Sequence, residues 1–167
     1  MEQKMNTNIL VEAELARHDW SKIRIADGLA TEIPSALREL LAAQTREECE
    51  LAYWKLENYV VVQGQLFEAA LFVVPVLMAA LVTLERPVLV RHKLIELLFQ
   101  IVNGYPDREE EARGLGDLDA RCKDAARQGL WVLYREFLGE NRKQVRYVIE
   151  LLDEDKSRLE SLEQQLI

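Results

Sequence analysis

The residues in this 167-residue chain best suited to metal binding or nucleophilic chemistry are two histidines, His18 and His92, and two cysteines, Cys49 and Cys122. Neither histidine has a Glu or His at the spacing of a helical metal site. Glu14 and His18 stand four residues apart, which on a helix makes them surface neighbours. Both cysteines fall on apolar, helix-spaced faces, where a thiol is a buried, inert space-filler. The Glu-x-x-His spacing of a di-iron site is missing. So are a glycine-rich phosphate loop and a serine in a nucleophile elbow. The carboxylate runs Glu47-Glu48 and Glu109–Glu111 read as solvated, with ordinary acidity. The expectation is therefore a non-enzymatic protein with no catalytic residue, no metal and no cofactor.

What the chain does hold is a group of polar residues set into an apolar centre. Glu57, Asn58, Gln63, Gln65 and Glu68 surround the run VVVQG (60–64), beside Tyr53, Trp54 and Tyr59. Burying such groups unpaired costs on the order of a few kcal/mol each, so they either bond to one another or line a wet groove. One reading is a network that caps a helix and fixes the following turn. The other is a partner-facing patch with buried area supplied by Tyr53 and Trp54. On the second reading the site is Tyr53, Trp54, Glu57, Asn58, Gln63 and Gln65, joined by Glu96, Gln100 and Asn103. Glu68, the lone charge between Asn58 and Leu84, is expected to be held by Arg91 or by the Gln63–Gln65 turn. A second aromatic group, Trp131, Tyr134, Phe137 and Tyr147, reads as core, with Tyr134 the member to reach the surface.

The elements that position these residues are helical throughout. The stretch Leu66–Val102 is a hairpin of two apolar runs, Leu66–Val82 and Val88–Val102, broken at Thr83–Pro87. The first is apolar nearly all round, the mark of a helix enclosed by others. Pro75 removes a backbone donor and crowds the Leu71 carbonyl, predicting a bend. Upstream, Pro34 suits a helix entry, and Thr45 with Glu48 has the spacing of a capping box. Gly64 is the expected turn residue after VVVQG. Downstream, Asn103-Gly104 and Pro106 end the hairpin, and Tyr105–Gly116 reads as an acidic loop. A long helix is expected from Asp117 to about Leu138, another over Gln144–Leu152, and a charged helix or tail over 154–167. Residues 1–34 read as a cap over an exposed helix face, with a short helix within Asn8–Trp20 and a turn at Gly28.

A hydrophobic share of 49% with only 7 Gly and 4 Pro suits one helical domain of ordinary size rather than a sandwich or barrel. A net charge of −8 disfavours duplex nucleic acid, whose binding rests on basic side chains, and suits a basic protein partner. The uncharged run Ala69–Leu84 is shorter than the roughly 20 residues of a spanning helix, so no membrane role is expected. Two lone cysteines and a charged N-terminal stretch without a signal-peptide core point to a reducing, cytoplasmic setting.

Three helix pairs emerge, at about 35–62, 65–103 and 117–153. Val90-Arg91 aligns with Val145-Arg146, and Ile95-Glu96-Leu97-Leu98 with Ile149-Glu150-Leu151-Leu152. Together with Pro75, this resembles the HEAT and armadillo class of helical repeats over about 90 residues. In that family a proline bends the first helix of a pair and a Val-Arg opens the second, so Arg91 and Arg146 would be arginines that tie neighbouring repeats. The third pair has no matching proline and the first has no Val-Arg. The resemblance implies an all-α, short right-handed stack of antiparallel hairpins that serves as a binding scaffold. By analogy with small acidic proteins of that kind, the concrete expectation is an immunity protein that occludes a cognate bacterial toxin. The alternative is a scaffold or adaptor subunit of a larger assembly. A helical-repeat DNA glycosylase is disfavoured by the acidic balance.

Overall fold

The computed structural model describes residues 8–83 and 85–167; Leu84 and the first seven residues of the expected cap lie outside that description. Among the described residues the chain is all-α. Its helices are α1 (Ile9–Ala16), α2 (Ile33–Ala42), α3 (Arg46–Val60), α4 (Ala69–Val82), α5 (Val88–Val102), α6 (Arg108–Ala112), α7 (Leu118–Arg127), α8 (Leu130–Phe137), α9 (Arg142–Leu152) and α10 (Lys156–Gln165). Strands β1 (Arg24–Ile25), β2 (Gly28–Leu29), β3 (Val61–Val62), β4 (Gln65–Leu66) and β5 (Tyr105–Pro106) are two residues long and serve as clips between helices.

Helix α4 lies at the centre because nothing polar interrupts its surface. Ala70, Val73, Val74, Val76, Leu77, Ala80 and Leu81 point in all directions and all are buried. Around α4 pack α1, α5 and α7, while α5 is flanked by α3 on one side and α9 on the other. The molecule therefore has two layers, with α3, α5 and α9 side by side in one and α1, α4 and α7 in the other. Each large apolar side chain fully enclosed between them, such as Leu77, Leu94 or Leu97, contributes about 1.5–3 kcal/mol. Pro75 sits inside α4, which continues on both sides of it.

Local chemistry sets the ends of these helices. Thr45 Oγ1 accepts the Glu48 amide at 3.2 Å, and the Glu48 carboxylate accepts the Thr45 amide at 3.3 Å, so α3 opens with a full capping box. At the other end, Gln63 and Gly64 both take positive φ, 51° and 83°. That pair of angles makes the tight hairpin turn between β3 and β4. β5 then adds to β4 in parallel, pairing Gln65 with Tyr105. The C-terminal ends of α3 and α5 are thereby fastened at the same end of the molecule.

Several expectations are corrected. The N-terminal segment lays α1 along central helix α4, and its β1–β2 hairpin reaches α3 through the Ala26 amide, which donates to the Tyr59 carbonyl at 3.0 Å. Glu68 is held neither by Arg91 nor by the Gln63–Gln65 turn. Its partner is Arg24 of β1, at 2.6 Å. Arg24 also donates to both oxygens of Glu110 at 3.0 and 2.9 Å, so Glu110 is buried rather than solvated, and the expected loop contains helix α6. Arg91 instead crosses to the fully buried Glu136 of α8, with Nη2 2.7 Å from Oε2.

The long helix expected from Asp117 to Leu138 is two helices. The break falls at Gln128-Gly129, and a Cβ on Gly129 would stand 2.2 Å from Met78 Cε of α4. The second aromatic group is also sorted differently. Tyr134 is buried and donates to Asp153 Oδ2 at 2.6 Å, Phe137 is buried, and Trp131 and Tyr147 are exposed.

Candidate functional site

Helices α3 and α5 lie side by side, and their facing seam collects the only cluster among the predicted residues with mutual polar contacts. On α3, Tyr53 and Glu57 are four residues apart and so one turn apart on the same side. On α5, Lys93, Glu96, Gln100 and Asn103 repeat at three and four. The Tyr53 hydroxyl donates to Glu57 Oε1 at 3.2 Å. Lys93 Nζ lies 4.7 Å from the centre of the Tyr53 ring and 3.1 Å from Glu96 Oε2. His92 Nε2 stands 3.8 Å from the same Glu96 oxygen.

These contacts have electrostatic consequences. Burial raises the Glu57 carboxyl above its ordinary value. The Tyr53 hydrogen bond works against that rise, the nearby Glu96 charge adds to it, and Lys93 subtracts from it. Burial, followed by the charges of Glu96 and Glu57, pushes the Tyr53 phenol far upward, so it stays a neutral donor. The seam thus holds two carboxylates against one lysine, in a place where a further negative charge is already resisted. A Lys or Arg from outside would find two partly buried acceptors oriented by a fixed hydroxyl.

The predicted patch is divided by its surroundings. Trp54 is 55% exposed and stands edge-on to Tyr53, with ring centres 5.6 Å apart. Tyr53 itself is only 1% exposed, so it cannot be a partner-facing anchor; it orients Glu57 from below. Asn58, Gln63 and Asn103 are exposed, while Gln65 and Gln100 are half-buried. Gln63, Gln65 and Asn103 gather at the β3–β4 turn, where the ends of α3 and α5 meet, further along the seam from the Glu57–Glu96 cluster.

The patch expected from the sequence did not include Lys93 or His92. Lys93 was findable, since it continues the Glu96–Gln100–Asn103 stripe one turn earlier. Phe99 and the exposed Tyr147 of α9, with ring centres 6.4 Å apart, extend the aromatic area to the next helix. That pairing spans 48 positions and had no local signal.

Other chemistry finds little support in the geometry. Cys122 is enclosed by the core and burial pushes its thiol up to about 12, and burial also raises Cys49, so both are poor nucleophiles. Among the described residues no three His, Cys, Asp or Glu side chains come close enough together to hold a metal ion. No helix among them is long and apolar enough to cross a membrane. No family model matches this chain, and no curated protein and no solved structure matches it.

Proposed function

We propose that the protein is a non-enzymatic binding module that engages a basic protein partner through the α3–α5 seam, with Trp54 as apolar anchor and Glu57 and Glu96 as acceptors. The single observation that carries this reading is the pair of carboxylates around Tyr53, partly buried and served by one lysine, beside a Trp that is 55% exposed. Interface anchors are enriched in Trp, and a charged rim steers a partner of opposite sign. The net charge of −8 acts in the same direction.

The HEAT-like reading assigns Arg91 and Arg146 to ties between neighbouring units, and among the described residues only Arg91 contacts another of the three helix pairs. Arg91 bonds to Glu136 of the next helix pair, and Arg146 reaches Glu163 of α10. In its most concrete form the module is an immunity protein that covers a cognate toxin. An adaptor subunit that uses the same seam is the alternative, and the identity of the captured partner distinguishes them.

The test is affinity capture with the full chain, then calorimetry on the purified partner. Trp54→Ala and Glu57→Lys are each expected to cost at least about 2 kcal/mol of binding. Glu109→Lys is the control, because Glu109 is exposed in α6 whereas Glu110 is locked to Arg24. Unchanged affinity for both seam variants, with folding intact, would place the interface elsewhere.

A further inference from the structure

A second surface has the opposite character. Helices α8 and α10 flank a trough of about 460 Å³. Trp131, Arg135 and Leu138 line one wall, and Arg158, Leu162 and Gln165 line the other. Both sets repeat at i, i+4 and i+7, so each is one straight stripe of side chains about two turns, or roughly 10 Å, long. Trp131 is 69% exposed and Leu138, two turns further along, is 56% exposed. Arg158 stacks over the Trp131 ring, 5.2 Å from its centre, and steadies the indole at the trough edge.

The charge of this trough runs against that of the chain. Acidic residues outnumber basic ones by 29 to 21 overall, yet the lining holds two arginines and no carboxylate. The arginines are only loosely balanced from behind. Arg158 Nη1 is 3.4 Å from Asp153, whose oxygen is already bonded by the Tyr134 hydroxyl at 2.6 Å, and its Nη2 is 3.9 Å from Asp155. Arg135 Nη2 donates to the Leu81 carbonyl and stands 3.9 Å from Glu136, a carboxylate already engaged by Arg91. Among the described residues, Arg135 Nε is buried without an acceptor.

We propose that this trough docks an acidic amphipathic segment of a partner protein, a helix of two to three turns with apolar anchors at i, i+4 and i+7 and flanking carboxylates. Two stripes of matched spacing, with a bare indole at the head of one, fit the apolar edge of such a helix. The two guanidiniums supply positive charge that favours its carboxylates. None of these residues belongs to the α3–α5 seam, so the inference stands whether or not that seam binds a basic protein.

The probe is a fluorescein-labelled synthetic helical peptide with Leu at i, i+4 and i+7 and Glu at the flanking positions. Its controls replace every Glu by Lys, or every Leu by Ser. Anisotropy is read with the full chain, and indole emission with Trp54→Phe, in which Trp131 is the exposed indole beside the buried Trp20. The acidic peptide is expected to bind at least tenfold more tightly than either control and to shift indole emission to the blue. Trp131→Ala should weaken binding at least tenfold, and Arg158→Gln at least threefold with a shallower salt dependence; circular dichroism confirms that each variant folds, and the two substitutions test the trough independently.

Equal affinity for the Glu and Lys peptides would overturn the proposal, as would binding untouched by both substitutions. Binding to phosphatidylglycerol vesicles but to neither peptide would make a lipid surface the occupant and refute it. A dimer of the free protein that Trp131→Ala dissolves would refute it equally, by assigning the trough to a second copy.

Discussion

The ion pair between Arg91 and Glu136 joins α5 to α8 and offers the sharpest test of how these two helices are held together. Arg91 Nη2 lies 2.7 Å from Glu136 Oε2, and its Nε lies 3.2 Å from both carboxylate oxygens. Glu136 is fully buried and the Arg91 side chain nearly so. Two unit charges about 4 Å apart attract by roughly 4 kcal/mol at an effective dielectric of about 20, and taking them out of water costs an amount of similar size. The pair as a whole is therefore close to neutral, but either half alone is not. Glu136→Leu, which strands a buried guanidinium, is expected to cost about 3–5 kcal/mol. Arg91→Met should fall at the lower end of that range, because Arg135 Nη2 remains 3.9 Å from the carboxylate. The double variant, with two apolar side chains of similar volume, should lose far less than the sum, a coupling of about 3 kcal/mol. Urea unfolding of the wild type, both single variants and the double variant supplies the cycle, with the slope checked for constancy. Single costs that add to within about 0.5 kcal/mol would refute the reasoning, since independent sites behave that way.

Three further outcomes follow from the geometry. Gly104→Ala would bring a Cβ to 2.7 Å from Leu66 Cδ2 and 2.9 Å from the Gly64 carbonyl oxygen. It should cost about 1–3 kcal/mol by overpacking the β4–β5 junction, and a melting temperature equal to wild type would contradict this. Burial raises the folded-state pKa of Glu57, so the folded state binds that proton more tightly than the unfolded one. This site therefore weakens folding above its raised pKa and is relieved as pH falls through that value. Carboxyl NMR titration should show a midpoint above the ordinary range, lower in Glu96→Gln and higher in Tyr53→Phe; a normal midpoint insensitive to both would dismiss the coupling. Cys122, with its thiol pushed up to about 12 by burial, should react with a disulfide reagent at pH 8 only on unfolding, and fast labelling of the native protein would disprove its enclosure.

The amino-acid sequence by itself determined the local grammar. The three-and-four spacing of Ala36 to Leu152, the Thr45–Glu48 capping box and Gly64 at the turn all depend on neighbours within a few residues, and their structures agree with what those neighbours dictate. The uninterrupted apolar surface of Ala69–Val82 likewise required a central position wherever its neighbours lay. It also placed Tyr53 with Glu57 on one stripe and Glu96 with Gln100 on another, because helical spacing defines a stripe. What periodicity cannot give is which stripe meets which. Glu68 found Arg24, 44 positions away, and Arg91 found Glu136, 45 positions away, because the layers brought those particular faces together. The exposure of Trp131 and burial of Tyr134 were likewise decided from outside α8: Asp153 offers an acceptor to the hydroxyl, and the trough beside α10 leaves the indole uncovered. Gly129, between α7 and α8, stands where Met78 of α4 leaves no room for a Cβ. Hydrogen bonds that close within one turn are written in the chain, whereas ion pairs and packing partners are chosen by tertiary geometry, where the cost of an unpaired buried charge selects among the groups that arrive.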